Sequence, residues 1–179
     1  MASKLGRKIF KMKKTLFELM QNDAIGAIAL HSFTVGYYNV ARHKEEISPY
    51  PQLSYLFYIL PIVYNADSLD AFKSSTELYS AITKDQTIIL GLQERANKMA
   101  QKTFDGLNLA FSKRILSINK VNNTIETLYG YQSKKLPLYS SMNSSENSVK
   151  KIQDCAFRLG SIFAKRNPFN IQLELNIMF

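Results

Sequence analysis

The sequence predicts a mainly helical fold with one small β-hairpin, an α+β arrangement. Apolar residues recur along most of the chain at the spacing of a buried helix face. One short stretch, residues 114–129, is instead β-branched on both sides of a polar turn. Hydrophobic residues make up 46% of the 179 residues, which is enough for a sizeable core.

The first helix is predicted over residues 24–38, with Asn22 or Asp23 as its N-cap. Small residues separate its apolar ones, and few positions are polar. We therefore expect this helix to be buried on most of its sides.

A second helix should carry an almost unbroken apolar and aromatic run, residues 53–64, which we call the aromatic segment. Pro51 suits the first turn of that helix, and Pro61 would kink or end it. The run is too short to cross a bilayer, which takes roughly 20 apolar residues. It is expected to be buried in a fold or at a subunit interface.

The middle of the chain predicts further short elements. One or two short helices are expected in residues 67–83, and a cleaner amphipathic helix in 84–102. Another helix is predicted from 103 to 113. A hairpin follows over 114–129, with a turn at 120–123, because asparagine tolerates left-handed backbone.

Two more helices are expected near the C-terminus. Asn143 and Glu146 resemble a capping box before a helix with an apolar face over 146–164. Asn167 followed by Pro168 is typical of a helix start. The last stretch, residues 171–179, alternates partly like a strand, but we expect a short helix there.

These elements divide the chain into a basic arm (1–14), a helical part (15–84) and a winged-helix-like part (85–179). The last assignment follows from the order helix, helix, hairpin. Residues 103–113 would then be the recognition helix and 114–129 the wing.

Charge indicates an acidic partner, because the net charge is +9. Six cations precede the first acid, Glu18, and form either a solvated arm or a phosphate-contacting one. Three more lie around the predicted hairpin. The predicted nucleic-acid contacts are therefore Lys4, Arg7, Lys8, Lys11, Lys13, Lys14, Lys113, Arg114 and Lys120.

No catalytic or metal-binding pattern is evident, so we predict a non-enzyme without cofactor or metal. Phosphate-loop glycine motifs are absent from the sequence. His31 and His43 lack the neighbouring ligands of a zinc site. Cys155 is expected to be a buried structural thiol in a reducing compartment. Without a secretory signal, the predicted location is the cytoplasm, with no membrane contact.

Four motifs together resemble the middle component of three-component ABC systems. Residues 22–27 with Phe33, Gly36 and Tyr37 are similar to that family's N-terminal "NPA…F…GY" pattern. Residues 56–62 are similar to its "LLFLVLPL" segment, and residues 158–165 to its "RLGRWFAK" element. The resemblance covers about residues 22–179 and leaves the basic arm outside.

This resemblance implies a small accessory subunit of a bacterial defence system of the Lamassu type. Its implied partners are an ABC ATPase of the SMC or Rad50-like kind and an effector, frequently a nuclease. The subunit would link sensing of DNA by the ATPase to control of the effector.

An adaptor needs exposed anchors, and aromatic side chains are enriched at binding hot spots. The predicted partner-interface residues, of which some should be exposed, are Tyr50, Tyr55, Phe57, Tyr58 and Tyr64. The alternative is a free-standing winged-helix DNA-binding regulator. Against it, the 103–113 helix contains several apolar residues and few that could read bases.

Overall fold

A computed structural model describes residues 21–45, 47–140, 142 and 148–178. Within these ranges the chain is mostly helical with one antiparallel hairpin, so the predicted α+β class is confirmed. The elements are α1 (Asp23–Ala41), α2 (Leu53–Leu56), α3 (Ile59–Val63), α4 (Ala66–Lys73), α5 (Leu78–Lys84), a 3₁₀ turn (Gln86–Ile88), α6 (Leu92–Ser112), β1 (Leu116–Asn119), β2 (Thr124–Thr127), α7 (Ser148–Phe163) and α8 (Pro168–Leu175).

Helix α1 lies at the centre of the fold and packs against both α6 and α7. Asn22 caps it, since its Oδ1 accepts a hydrogen bond from the Ala24 N–H at 3.0 Å. Thirteen of its 19 residues are buried, as the small and apolar composition predicted. The helix continues to Ala41, three residues beyond the predicted end.

Glycines bring α1 and α7 into backbone contact. A Cβ on Gly36 would lie 2.0 Å from the Phe157 carbonyl oxygen, and one on Gly160 would lie 2.0 Å from the Phe33 carbonyl oxygen. No side chain fits at either position without moving the helices apart. The crossing therefore requires a glycine from each helix.

Aromatic rings fill the core beside this crossing. Phe33 meets Phe163 edge-on with 5.4 Å between ring centroids, and Tyr55 meets the same ring at 5.7 Å. The buried cluster includes side chains from both sides of the predicted 84/85 boundary. Both predicted parts therefore contribute to one core.

The aromatic segment forms two short helices instead of one. Helix α2 begins after Gln52, so Pro51 precedes the helix. The prediction that Pro51 lies in the first turn is therefore wrong. The chain is interrupted after Leu56 and resumes with α3, whose third residue is Pro61. Proline cannot donate to the carbonyl four residues earlier, and its ring would clash there, which explains the break near Phe57.

Helices 84–102 and 103–113 were predicted to be separate, and this is wrong. Residues 92–112 form one continuous helix, α6, because no glycine or proline interrupts residues 100–105. The helix starts later than predicted, after Gly91, whose positive φ of 61° favours glycine. The helix–turn–helix order is thus not observed, and the winged-helix assignment is not confirmed.

The predicted hairpin is confirmed, with Leu116 opposite Thr127 and Asn119 opposite Thr124. In the turn, Asn119 Oδ1 accepts hydrogen bonds from the N–H groups of Val121 and Asn122. Asn123 adopts the left-handed conformation, with a φ of 56°. The stretch preceding α2 pairs with β2 from its other side. Leu53 N–H donates to the Asn123 carbonyl at 2.9 Å, and Ile125 N–H donates to the Pro51 carbonyl at 3.0 Å.

The predicted C-terminal helices are also confirmed. The apolar face of α7 is buried. Asn167 Oδ1 accepts from the Asn170 N–H at 2.7 Å, and Pro168 is the first residue of α8. The predicted capping pair Asn143 and Glu146 lies outside the described residues.

Candidate partner and nucleic-acid interfaces

Three of the five predicted interface aromatics lie in the core. Tyr55, Tyr58 and Tyr64 are only 3%, 4% and 6% exposed, so the exposure expected of an anchor is not observed for them. The break between α2 and α3 turns these rings inward. The Tyr58 hydroxyl lies 2.5 Å from the Met178 carbonyl oxygen and 3.0 Å from Gln93 Oε1. Burial raises the pKa of Tyr55 to about 12.

Phe57 and Tyr50 are half-buried and keep part of their surface exposed. Phe57 meets Phe104 of α6 edge-on at 5.0 Å, and Phe104 is 46% exposed. Tyr50 stacks on Tyr38 with 5.1 Å between centroids, and the Arg42 guanidinium lies 5.6 Å from the centre of the Tyr38 ring. The structure therefore presents two aromatic pairs at the surface, one between the end of α2 and α6 and one beside the end of α1.

The three cations predicted around the hairpin are exposed, but they are not brought together. Lys113 and Arg114 follow α6 at the base of the hairpin, whereas Lys120 lies in its turn. The intervening strand of four residues separates these ends by about 14 Å, at about 3.4 Å per residue. The six cations of the predicted basic arm lie outside the described residues.

A basic groove that the sequence did not predict lies between α4 and α7. It has a volume of about 570 Å³. Five cations and two carboxylates line it, which gives a net charge of +3. These residues are Lys73, Lys135, Lys150, Lys151, Arg158, Asp70 and Asp154. We call it the α4–α7 groove.

Asp154 organises the cations on one side of this groove. Its carboxylate accepts from Lys135 and, at 2.6 Å, from Lys150. Partial burial would raise the pKa of Asp154, but the hydrogen bonds and charges of the two lysines outweigh burial and lower it. Asp154 is therefore ionised at neutral pH and offsets part of the positive charge.

On the other side of the groove, serines of the α4–α5 connection accept hydrogen bonds from two cations. Lys84 Nζ donates to Ser74 Oγ at 2.9 Å and to Ser75 Oγ at 3.0 Å. Arg158 Nη1 donates to the Ser75 carbonyl oxygen at 3.4 Å. Lys84 thus extends the positive surface beyond the groove itself.

Two titratable side chains, His31 and Cys155, are buried in the fold. His31 Nε2 donates to the Tyr131 carbonyl oxygen at 3.2 Å, since a carbonyl can only accept. Burial lowers the pKa of His31 to about 4, against the smaller opposing effect of that hydrogen bond. Cys155 is buried as predicted, and burial raises the pKa of its thiol to about 12.

Neither a metal-binding cluster nor a membrane-spanning helix occurs in the described residues. No group of three or more His, Cys, Asp or Glu side chains there is arranged to hold a metal ion. None of the helices in the same ranges is both long and apolar enough to cross a membrane.

Comparison with known proteins identifies the family. No curated protein and no solved structure gives a significant match. The family model "ABC-three component (ABC-3C) system Middle Component 3" matches residues 10–179. The match begins twelve residues before the 22–179 range of the motifs, so Lys11, Lys13 and Lys14 lie inside it and not outside the family pattern. Because the match spans nearly the whole sequence, the chain belongs to the Middle Component 3 family of ABC-three component systems.

Proposed function

We propose that this subunit is a non-catalytic adaptor that joins an SMC or Rad50-like ABC ATPase to a nuclease-type effector. The observation that carries this proposal is membership of a middle-component family, since a middle component implies partner subunits. A Lamassu-type role in defence against phage and plasmids, in the cytoplasm, is the biological setting that we propose for the complex.

The exposed aromatic pair Phe57 and Phe104 is the proposed partner contact. Phe57 lies in the break between α2 and α3, next to the buried Leu56 and Tyr58, and Phe104 belongs to α6, so their positions are set before a partner binds. Aromatic side chains lose little conformational entropy on binding and dominate many interfaces. Tyr50, stacked on Tyr38, is the second proposed contact.

Direct contact with DNA is part of the proposed role. Lys113, Arg114 and Lys120 are exposed and could reach phosphates from the two ends of the hairpin. The cations of residues 4–14 would add to the same attraction, which depends on salt through counterion release.

Co-purification with the products of the adjacent genes tests the adaptor role. The experiment is run at low salt and at about 0.5 M salt, where screening removes most surface electrostatics. A complex with a long coiled-coil ATPase that persists at both salts is expected from an aromatic interface. Recovery of this chain alone under both conditions would refute the proposal.

A matched pair of variants tests the interface. Phe104→Ala should weaken the complex by at least roughly thirtyfold if Phe104 is a hot spot. Phe169→Ala is the control, because Phe169 is also an exposed helical phenylalanine, 69% exposed on α8. If only the control variant loses the partner, the adaptor role stands but the assigned surface is wrong.

A further inference from the structure

The α4–α7 groove concentrates positive charge from three separate parts of the chain. Lys73 comes from α4, Lys135 from the connection before α7, and the remaining cations from α7. Lys150 and Arg158 are eight positions apart in α7, which corresponds to about 12 Å along the helix axis. Charge is therefore distributed along the groove and not confined to a single point.

The positive charge of this groove is complementary to a nucleic-acid backbone. Duplex DNA carries one phosphate charge per about 1.7 Å of axis, so a 12 Å stretch carries roughly seven phosphates. The groove has a net charge of +3, with Lys84 beside it, so it can neutralise part of this phosphate charge. Lys73 and Lys151 are exposed, and no ion pair engages either within the described residues.

The residue types favour a phosphate backbone over an acidic protein. Protein interfaces are depleted in lysine and enriched in exposed aromatic anchors at their centres. In this groove Leu69, Phe72 and Cys155 are buried beneath the surface, and four of the five cations are lysines. The half-buried ring of Phe157 is covered by Lys135, whose Nζ lies 5.2 Å from the ring centroid, so a cation and not an apolar anchor is presented there. Interfaces with nucleic acid are more polar and more positive, as this one is.

We propose that the α4–α7 groove binds the phosphate backbone of duplex DNA without reading its sequence. Lys73, Lys151 and Arg158 supply the first contacts. Lys135 and Lys150 can exchange Asp154 for phosphate oxygens. This inference deepens the proposed function by naming a DNA surface distinct from the hairpin.

Three single variants of the full chain test the groove. The measurement is fluorescence anisotropy with a labelled duplex of about two helical turns, over a series of salt concentrations. Lys151→Glu should weaken binding about tenfold at about 50 mM salt and lower the slope of log K against log salt by about 1. Asp154→Asn should instead strengthen binding severalfold, because it releases Lys135 and Lys150.

Lys98→Glu is the matched control, because Lys98 is an exposed lysine on α6, 72% exposed, and the substitution changes the net charge equally. Equal weakening by Lys98→Glu and Lys151→Glu would show that only overall charge matters, and would overturn the proposal. Asp154→Asn binding no tighter than wild type would also overturn it. Circular dichroism checks that each variant is folded.

A labelled polyglutamate peptide and a second, unrelated duplex complete the test. Equal affinity for the two duplexes is expected, since the lysines contact phosphates and not bases. Tighter binding of polyglutamate than DNA, with the same dependence on Lys151, would assign the groove to an acidic protein and overturn the proposal. Because this assay uses the subunit alone, its failure leaves the co-purification result unaffected.

Discussion

The close approach of α1 and α7 makes a quantitative prediction for Gly36→Ala. The new Cβ would lie 2.0 Å from the Phe157 carbonyl oxygen, whereas ordinary contact begins at 3.4 Å. The helices must therefore separate locally by 1.4 Å, the difference between these distances, because backbone cannot rotate away. Overpacking of this kind costs about 3 kcal/mol. The better helix propensity of alanine offsets about 1 kcal/mol, which leaves a net destabilisation of about 2 kcal/mol.

Gly26→Ala is the matched control on the same helix. The atoms nearest to a Cβ at Gly26 lie at 3.7 Å or more, which is ordinary contact. We expect this variant to be neutral or stabilised by up to about 1 kcal/mol. Urea unfolding of the full chain, followed by circular dichroism, measures both. The 2 kcal/mol loss for Gly36→Ala corresponds to a melting temperature about 4–8 °C lower.

The double variant with Gly160→Ala provides an independent check. Both glycines serve the same crossing, so a separation forced by one substitution makes room for the other. We expect the double variant to lose less stability than the two single variants together. If Gly36→Ala is as stable as Gly26→Ala, the helices do not approach as described, and the reasoning fails.

Two further predictions concern buried titratable groups. The folded pKa of His31, about 4, lies below its ordinary value of 6.5, so the unfolded chain binds the proton more readily and stability falls as the pH falls through this window. Burial of His31 should lower the free energy of unfolding by about 2 kcal/mol between about pH 7 and pH 5. The variant His31→Gln should lose that part of the pH dependence. A stability–pH profile that is unchanged in the variant would contradict the burial of His31. Cys155, with a pKa of about 12, should react with an aromatic disulfide reagent only as fast as the chain unfolds, and rapid labelling of the native protein would show that the thiol is accessible.

Elements with local start and stop signals could be predicted from the sequence. Asn22 and Asn167 cap α1 and α8, and the polar turn specifies the hairpin. The division of α6 into two helices had no such signal, since no breaker occurs between residues 100 and 105.

The α4–α7 groove could not be predicted, because its cations are distant in sequence. Lys73 and Lys151 are separated by 77 intervening residues, and only packing of α4 on α7 brings them to one surface. The burial of Tyr55, Tyr58 and Tyr64 could not be predicted either, because a continuous apolar run does not indicate which of its faces is covered.

The motifs that carry the family resemblance have a packing role in the structure. Gly36 and Gly160 make the helix crossing, and Phe33 contacts Phe163 beside it. These motif residues therefore reflect the packing of α1 against α7.

The pairing of residues 51–53 with β2 limits how copies of this protein can join through their sheets. One edge of the hairpin is already occupied by the chain's own backbone. Within the described residues, no strand pairs with the outer side of β1. A strand from another molecule that pairs directly with the hairpin would therefore do so along β1.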